Sequence, residues 1–462
     1  MIHIRHFAGL AVAGLIAVAA AVPARAETLA DAMVAAYRHS ALMDQNRAVL
    51  RAADEDVATA ISALRPVVQW VASHTYNYVE GGTEQNTSVL SLSAQMVLFD
   101  FGRSQLAIDI AKETVLATRE ALVGVEQDVL LGAAQAYFEV WAAREQVALQ
   151  ANSVRVLAQE RQAAQDRFDV GEITVTDVSL ADAQLAATRA SLASAEGDLA
   201  TAEERYRTAT GHAPGRFGAP PAAPRLPESV EAARAIGQRT HPTIRQLQRQ
   251  AAAAELGVAA AAAERNPTVS GSVGLSSQSA PNVFGNNTTT SGANVGVQMS
   301  QTIYSGGRLS AAHRKAMAQR DQVRAGLLNG SRTVNQAVGT AWSYIDVAQA
   351  QIRAIDQQIV AAQQAYDGVR EEAMLGARTT LDVLDAEQSL LSARADRISA
   401  QANLQLAHYQ LLAAMGLLTV ENLQLGIPTY DPSAYYKAVR EAPYTSRQGE
   451  NLDRVLRAIG RD

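Results

Sequence analysis

Asp382 and Asp385 are the residues of this 462-residue chain whose spacing points most clearly to chemistry. They lie three residues apart in a predicted helical stretch, so both carboxylates face one side of that helix. Acids gathered around a narrow passage attract cations and repel anions. An equivalent upstream segment has Asp177 but Leu180 in the place of the second acid, so the pair occurs once.

A structural role competes with this interpretation. The segments Thr174-x-x-Asp177 and Thr379-x-x-Asp382 match the capping-box pattern at a helix N-terminus. Capping and a favourable interaction with the helix dipole would account for Asp177 and Asp382. They account less well for Asp385, which lies in the second turn, so both interpretations stay open.

The sequence contains no motif for catalysis, a metal or a cofactor. Its eight His residues are scattered without H-E-x-x-H spacing, and it has no P-loop, dinucleotide fingerprint or G-x-S-x-G. It also has no Cys, which excludes disulfides and thiolate metal sites. We therefore expect neither an enzyme nor a cofactor-binding protein.

The chain repeats itself at one fixed offset. Residues 171–177 recur 205 residues later as residues 376–382. A constant offset over this distance indicates two copies of one structural unit. Two further pairs share the offset of 205, namely Arg103 with Arg308 and Gly211 with Gly416.

Each copy contains helical stretches that are very long for a compact protein. Residues 102–169 contain no proline, and apolar residues recur every seven positions, which predicts a supercoiled helix about 100 Å long. This helix turns at Gly171 and returns over residues 174–210. The second copy turns at Gly376 and returns over residues 380–415. A glycine permits such a tip turn.

Four segments have the alternating pattern of strands: residues 67–79, 88–98, 268–276 and 294–301. Each copy is thus expected to contain a helix, two strands and a long helical hairpin, with residues 282–291 among the polar loops. Strands of about ten residues with one apolar face are typical of a membrane β-barrel, although a soluble sheet with one wet face has the same pattern. Four strands cannot close a barrel, so chains would have to pool them, two giving 8 and three giving 12.

The first 26 residues resemble a secretory signal peptide. A positive start is followed by an apolar run and Ala24-Arg25-Ala26, an A-x-A cleavage pattern, although an uncleaved anchor is the alternative. Losing Arg5 and Arg25 takes the formal net charge from −6 to −8. This acidic balance argues against a nucleic-acid partner.

These features divide the chain into five parts. Residues 1–26 are the predicted signal peptide, 27–210 the first repeat and 228–416 the second. Residues 211–227 hold five of the 13 prolines and form the linker between the repeats. Residues 417–462 are a tail whose structure the sequence does not indicate.

The duplication and its motifs resemble those of the TolC family of outer-membrane efflux and secretion channels. The resemblance covers about residues 27–430. It rests on residues 98–103 and 303–308 at the strand-to-helix joints and on the two tip motifs, 167–177 and 375–385. It implies a mainly α fold with a membrane β part, in which long coiled hairpins form an α-helical barrel. In the family, three chains also pool their strands into a 12-stranded outer-membrane barrel.

The resemblance also implies partners and a gate. The family works with a periplasmic adaptor protein and an inner-membrane transporter of the ABC or RND type, in contact with outer-membrane lipid. Its tunnel closes at the periplasmic tips, where Thr176 and Asp177 would face Arg378, and Asp382 and Asp385 would line the mouth. Ala373 occupies a position where relatives often have Tyr, so one link would be missing.

The predicted function is therefore passive export through a trimeric duct. The tail from Tyr430 to Arg440 is similar to tails in the branch that serves ABC-type protein secretion, which favours type I secretion over drug efflux. The main alternative is a structural or adhesive periplasmic coiled-coil protein without a pore. A periplasmic adaptor is more remote, because the sequence lacks lipoyl-like domains.

Overall fold

The two repeats have the same order of elements in the computed structural model, which describes residues 26–78, 80, 85–218, 221–281, 286–428, 430–439 and 454. The predicted signal peptide therefore lies almost entirely outside the described residues. The first repeat comprises α1 (Leu29–His39), α2 (Ala41–Ser62), β1 (Val67–Asn77), β2 (Gln85–Phe99), α3 (Arg103–Asp169) and α4 (Val175–Thr210). The second comprises α5 (Val230–Thr240), α6 (Pro242–Ala263), β3 (Thr268–Pro281), β4 (Asn287–Ser300), α7 (Arg308–Met374) and α8 (Thr380–Ala414).

The long helices match their predicted extents closely. Helices α3 and α7 contain 67 residues each, which corresponds to about 100 Å. Each starts directly after a glycine with positive φ, Gly102 at +85° and Gly307 at +88°. Asp100 helps to fix the first start, because its carboxylate accepts hydrogen bonds from the N–H groups of Gly102 and Ser104 at 3.2 and 2.7 Å.

The helical region before the strands differs from the prediction. The sequence suggested one helix there, whereas each repeat has two, divided at Ser40 and at His241. Ser40 ends α1 and caps α2, accepting a hydrogen bond from the N–H of Met43 at 3.2 Å. No proline or glycine marks the break at Ser40, so the break does not stand out in the sequence.

The four strands form one antiparallel sheet in the order β1-β2-β3-β4. The β2–β3 pairing joins the two repeats, and β1 and β4 lie at the edges. Strand β4 begins at Asn287, so the predicted loop over residues 282–291 is shorter than expected, with residues 282–285 outside the described part. The start of β4 is a run of polar residues without alternation, which hid it in the sequence.

One face of the sheet is apolar across all four strands. Trp70, Leu92, Leu275 and Ala293 lie opposite one another in a single row. Residues opposite each other in antiparallel strands share a face, so the apolar positions predicted separately for β2 and β4 lie on the same side. The neighbouring row continues this face with Val68, Ala94, Val273 and Val295.

The opposite face is polar but uncharged. One row consists of Val71, Ser91, Ser276 and Gly292. None of the four strands contains Asp, Glu, Lys or Arg, although charged residues make up 19% of the chain. The next row on this face is Gln69, Ser93, Gly274 and Asn294.

The main core lies between the sheet and the tips of the hairpins. Tyr137 and Phe138 of α3 are buried at its centre, and Tyr137 stacks on Phe217 of the linker with ring centroids 4.3 Å apart. Glu27 connects the start of the described chain to this core through hydrogen bonds. Its carboxylate accepts hydrogen bonds from the Tyr206 hydroxyl and from the N–H of Gly215, the latter at 2.6 Å.

Part of the C-terminal tail packs back onto the first repeat. A short helix, α9 (Pro432–Val439), lies against α2. The Tyr435 hydroxyl donates a hydrogen bond to Glu55 at 3.0 Å, and the Arg119 guanidinium lies 5.3 Å from the centre of the Tyr436 ring. The described part of the tail is therefore anchored to the helical core.

Gly416→Ala is expected to destabilise the fold far more than Gly376→Ala. Both glycines have positive φ, +75° and +77°, so each Ala costs about 1–2 kcal/mol in backbone strain. A Cβ at Gly416 would also lie 2.6 Å from the Cα of His241, whereas nothing lies within 4 Å at Gly376. That clash adds about 1–3 kcal/mol. Thermal unfolding followed by circular dichroism should show the larger loss in Gly416→Ala; equal losses would contradict the close packing of α5 and α6 on the end of α8.

Candidate functional site

The two helical hairpins end in tip turns of the same geometry. Gly171 and Gly376 have φ of +82° and +77°. In the first tip the N–H of Glu172 donates to the carbonyl of Arg167 at 2.9 Å, and in the second Ala377 donates to Glu372 at 2.9 Å. The two repeats thus reverse direction through the same hydrogen-bonded turn, with the glycine in the left-handed conformation.

The acids that follow each turn are engaged in helix capping. The Asp177 carboxylate accepts hydrogen bonds from the N–H and hydroxyl of Thr174 at 3.0 and 2.7 Å. The Asp382 carboxylate accepts the equivalent pair from Thr379, both at 2.9 Å. The hydroxyl and N–H of Thr174 lower the pKa of Asp177, and the N–H and hydroxyl of Thr379 lower that of Asp382. Both acids are therefore charged at neutral pH.

Asp385 has a different environment. It is exposed in the second turn of α8, and among the described residues its carboxylate has no capping role. Asp382 lies one turn away on the same face of the helix. Capping thus accounts for Asp177 and Asp382, and leaves Asp385 as an exposed acid on the same helical face.

Arg378 pairs within its own tip. Its Nε lies 2.9 Å from a carboxylate oxygen of Glu372, and both side chains are half exposed. The first tip has a pair with the charges in the reverse order, Arg167 with Glu172 at 3.2 Å, in which Arg167 occupies the position that corresponds to Glu372. Among the described contacts of one chain, Arg378 does not meet Asp177, and Thr176 is exposed. The Arg378–Asp177 link therefore stays a prediction for neighbouring chains.

The tips also carry exposed apolar side chains. Val170 and Val175 lie on the two sides of the first turn, and Met374 and Leu375 lie directly before Gly376 in the second, with Leu375 86% exposed. An apolar residue at the end of a hairpin is costly to leave in water and suits a contact with another protein.

Above the tips, the two hairpins are joined by contacts that the sequence did not indicate. Arg370 of α7 pairs with Glu160 of α3 at 3.0 Å. Gln184 of α4 donates a hydrogen bond to Gln388 of α8 at 3.1 Å. An apolar cluster also joins the two hairpins; it consists of Leu157 of α3, Leu185 of α4 and Leu384 of α8.

A buried carboxylate belongs to the same interface. Glu387 of α8 is only 7% exposed and accepts a hydrogen bond from the Ser153 hydroxyl of α3 at 3.2 Å. Burial raises the pKa of Glu387 to about 7. The sequence held a signal for this site, because Glu387 occupies a core position between the buried Val383 and Leu390.

Among the described residues, no group of three or more His, Cys, Asp or Glu is arranged to hold a metal ion. Within the same part of the chain, no helix combines the length and apolarity needed to cross a membrane.

Comparison with known proteins accounts for this architecture. The sequence model of the family described as "Outer membrane efflux protein" matches residues 33–212 and again residues 238–417. The chain belongs to the outer membrane efflux protein family. The two matches coincide with the two repeats, so the family unit and the duplicated unit are the same.

Individual relatives are similar to this chain along most of its length. Outer membrane efflux protein BepC of Brucella suis biovar 1 (strain 1330) is 35% identical over 424 residues, which cover 90% of this chain and 91% of that protein. Outer membrane protein TolC of Escherichia coli (strain K12) is 26% identical over 395 residues, covering 80% and 78%. The fold is similar to a crystal structure of CusC, with a TM-score of 0.75, 20% identity and coverage of 85% and 92%.

These comparisons confirm the TolC-family resemblance, the mainly helical fold with its four-stranded sheet and the internal duplication. This family member is an outer-membrane efflux or secretion channel, and such channels are transport ducts rather than enzymes.

Proposed function

We propose that three copies of the chain pool their strands into a 12-stranded barrel and their hairpins into one periplasmic tunnel. The observation that carries this proposal is the uncharged sheet, whose single apolar face continues across all four strands while β1 and β4 remain edges. A sheet in lipid cannot leave edge N–H and C=O groups unpaired. Pairing β4 of one chain with β1 of the next removes every edge.

The dimensions of the apolar face support its contact with lipid. Its apolar positions in β2 run from Leu90 to Leu98, about 27 Å along the strand, which at the usual strand tilt of about 40° is about 21 Å in height. Outer-membrane barrels have an apolar band about 25 Å tall. Tyr76 and Tyr78 lie beyond the loop-side end of this band, where aromatic side chains suit the membrane interface.

The gate in this proposal lies at the tips, about 100 Å from the sheet. In a trimer, Asp382 and Asp385 form two stacked rings of three acids each, which favour cations. Arg378 exchanges Glu372 for Asp177 and Thr176 of a neighbouring coil when the tips close. Its side chain is 51% exposed and already paired with an exposed acid, so the exchange costs little.

The same tips offer a docking surface for the periplasmic adaptor. Val170, Val175, Met374 and Leu375 give each chain two apolar patches at the point nearest the inner membrane. We propose that the adaptor covers them and connects the duct to an ABC or RND transporter. The cargo is a secreted protein or small molecules, and the similarity of the tail to the ABC-type secretion branch favours a protein.

The alternative is a periplasmic coiled-coil protein without a pore. The sheet argues against it, because a soluble sheet gains nothing from excluding charge on both faces. Fractionation separates the two functions: the duct should pellet with the outer membrane and need detergent for extraction. Recovery of most of the protein in the soluble periplasmic fraction would leave only the coiled-coil alternative.

A further inference from the structure

Glu387 is a buried acid at the interface between the two hairpins. Its Oε1 accepts a hydrogen bond from Ser153 across the interface between the hairpins, whereas its Oε2 has no partner among the described residues. A cavity of about 100 Å³ adjoins it, lined in part by Tyr366, Gln363 and Arg394. An ionised carboxylate in such a site is costly, because one hydroxyl does not replace its hydration shell.

The charged groups around Glu387 do not neutralise it. Glu160 of α3 is an acid and disfavours its ionisation, and Arg370 of α7 is already paired with Glu160. Arg394 of α8 donates a hydrogen bond to Gln363 of α7 at 2.7 Å. Tyr366 of α7 lines the same cavity, and burial raises the pKa of its hydroxyl, which keeps it neutral.

We propose that Glu387 is a proton-dependent latch: the protonated carboxyl group stays buried beside Ser153 and holds the two hairpins of each chain together, and its ionisation releases them. That the latch controls opening of the channel rests on the proposed function. That it controls the packing of the two hairpins rests on the geometry alone.

The direction of the pH effect follows from proton binding. In the packed interface Glu387 has a pKa of about 7, whereas a solvated Glu has a pKa of 4.5. The packed interface thus retains a proton that separated hairpins lose. Its advantage is complete below a pH of about 4.5 and disappears as the pH rises through about 7.

The latch acts on the gate because both lie near the start of α8. Glu387 lies two residues beyond Asp385 on α8, about 10 Å along the helix from its start at Thr380. Separating α8 from α3 to hydrate Glu387 also moves the acids at the mouth. Because Glu387 is buried within one chain, three latches act in a trimer.

The first test is the current through the purified full-length mature protein in a planar bilayer between about pH 5.5 and 8.5. Wild type should open at least about tenfold more often at the upper pH, since each unit of pKa difference corresponds to a factor of ten. Glu387→Gln keeps the size and the hydrogen bond but cannot ionise, so it should stay at the low-pH level throughout. Ser153→Ala removes the donor that favours the ionised form and should shift the midpoint to higher pH.

Limited trypsin digestion supplies a readout that needs no pore. The rate of cleavage after Arg370 is measured for wild type and for Glu387→Gln at each pH, and their ratio cancels the pH dependence of trypsin. A ratio that rises several-fold from about one supports the latch, even if no current is seen, in which case only the duct fails. A ratio of one at every pH overturns the latch, as do identical pH profiles of current in the two proteins.

Discussion

Leu275→Arg is expected to prevent assembly in the outer membrane, whereas Ser276→Arg should be tolerated. The two positions are adjacent in β3, but Leu275 belongs to the apolar row with Leu92, and Ser276 belongs to the polar row with Ser91. An Arg facing lipid near the midplane costs about 2–4 kcal/mol, and a trimer carries three of them. An Arg in a wet lumen has no such cost.

The measurement is the amount of detergent-extracted oligomer in the outer-membrane fraction, compared on a semi-native gel with wild type. Because the two variants introduce the same side chain one residue apart, general effects on expression or strand propensity cancel. Equal assembly of both variants would show that the apolar face does not meet lipid, and the barrel would have to be abandoned.

Asp385→Asn is expected to cause a several-fold loss of the channel's preference for K⁺ over Cl⁻. Asp385 is exposed and has no capping role, so its neutralisation should leave the free energy of unfolding unchanged. The Asp382→Ala/Asp385→Ala double variant should bring selectivity closer to none, at some cost in stability because Asp382 caps α8. The reversal potential in a salt gradient measures the effect.

Asp177→Asn is the matched control for the acid ring. Asp177 has the same hydrogen bonds to its capping Thr as Asp382 has, but Leu180 replaces the second acid in the first repeat. Its neutralisation should weaken the proposed link to Arg378 but alter selectivity much less than that of Asp385. Unchanged selectivity in Asp385→Asn would mean that these acids stabilise the helices and do not determine ion selectivity at the mouth.

The fold was predictable where the pattern is local and repeated. Heptad spacing over a long proline-free stretch can only be met by a long coiled helix, and Gly171 and Gly376 provide the positive φ where it turns. Alternation likewise placed Leu92 and Val295 on the faces they occupy. By contrast, the break at Ser40 depends on a single hydroxyl cap, which the surrounding helical pattern conceals.

The contacts between hairpins were not predictable, because they depend on the relative register of two helices far apart in the sequence. Ser153 and Glu387 are separated by 234 positions, and nothing local indicates that they meet. Arg378, by contrast, has a partner that is close to it in the sequence. Within one chain it pairs with Glu372, and its pairing with Asp177 of a neighbouring coil, which the family resemblance implies, stays a prediction.

Single-channel recording tests the duct most directly, with purified wild type beside Arg378→Ser in a planar bilayer. We expect small, cation-selective currents from wild type and a higher basal conductance in Arg378→Ser, because the variant loses the proposed link that closes the tips. An intact, lipid-inserted oligomer that passes no current in either form would contradict the proposed duct.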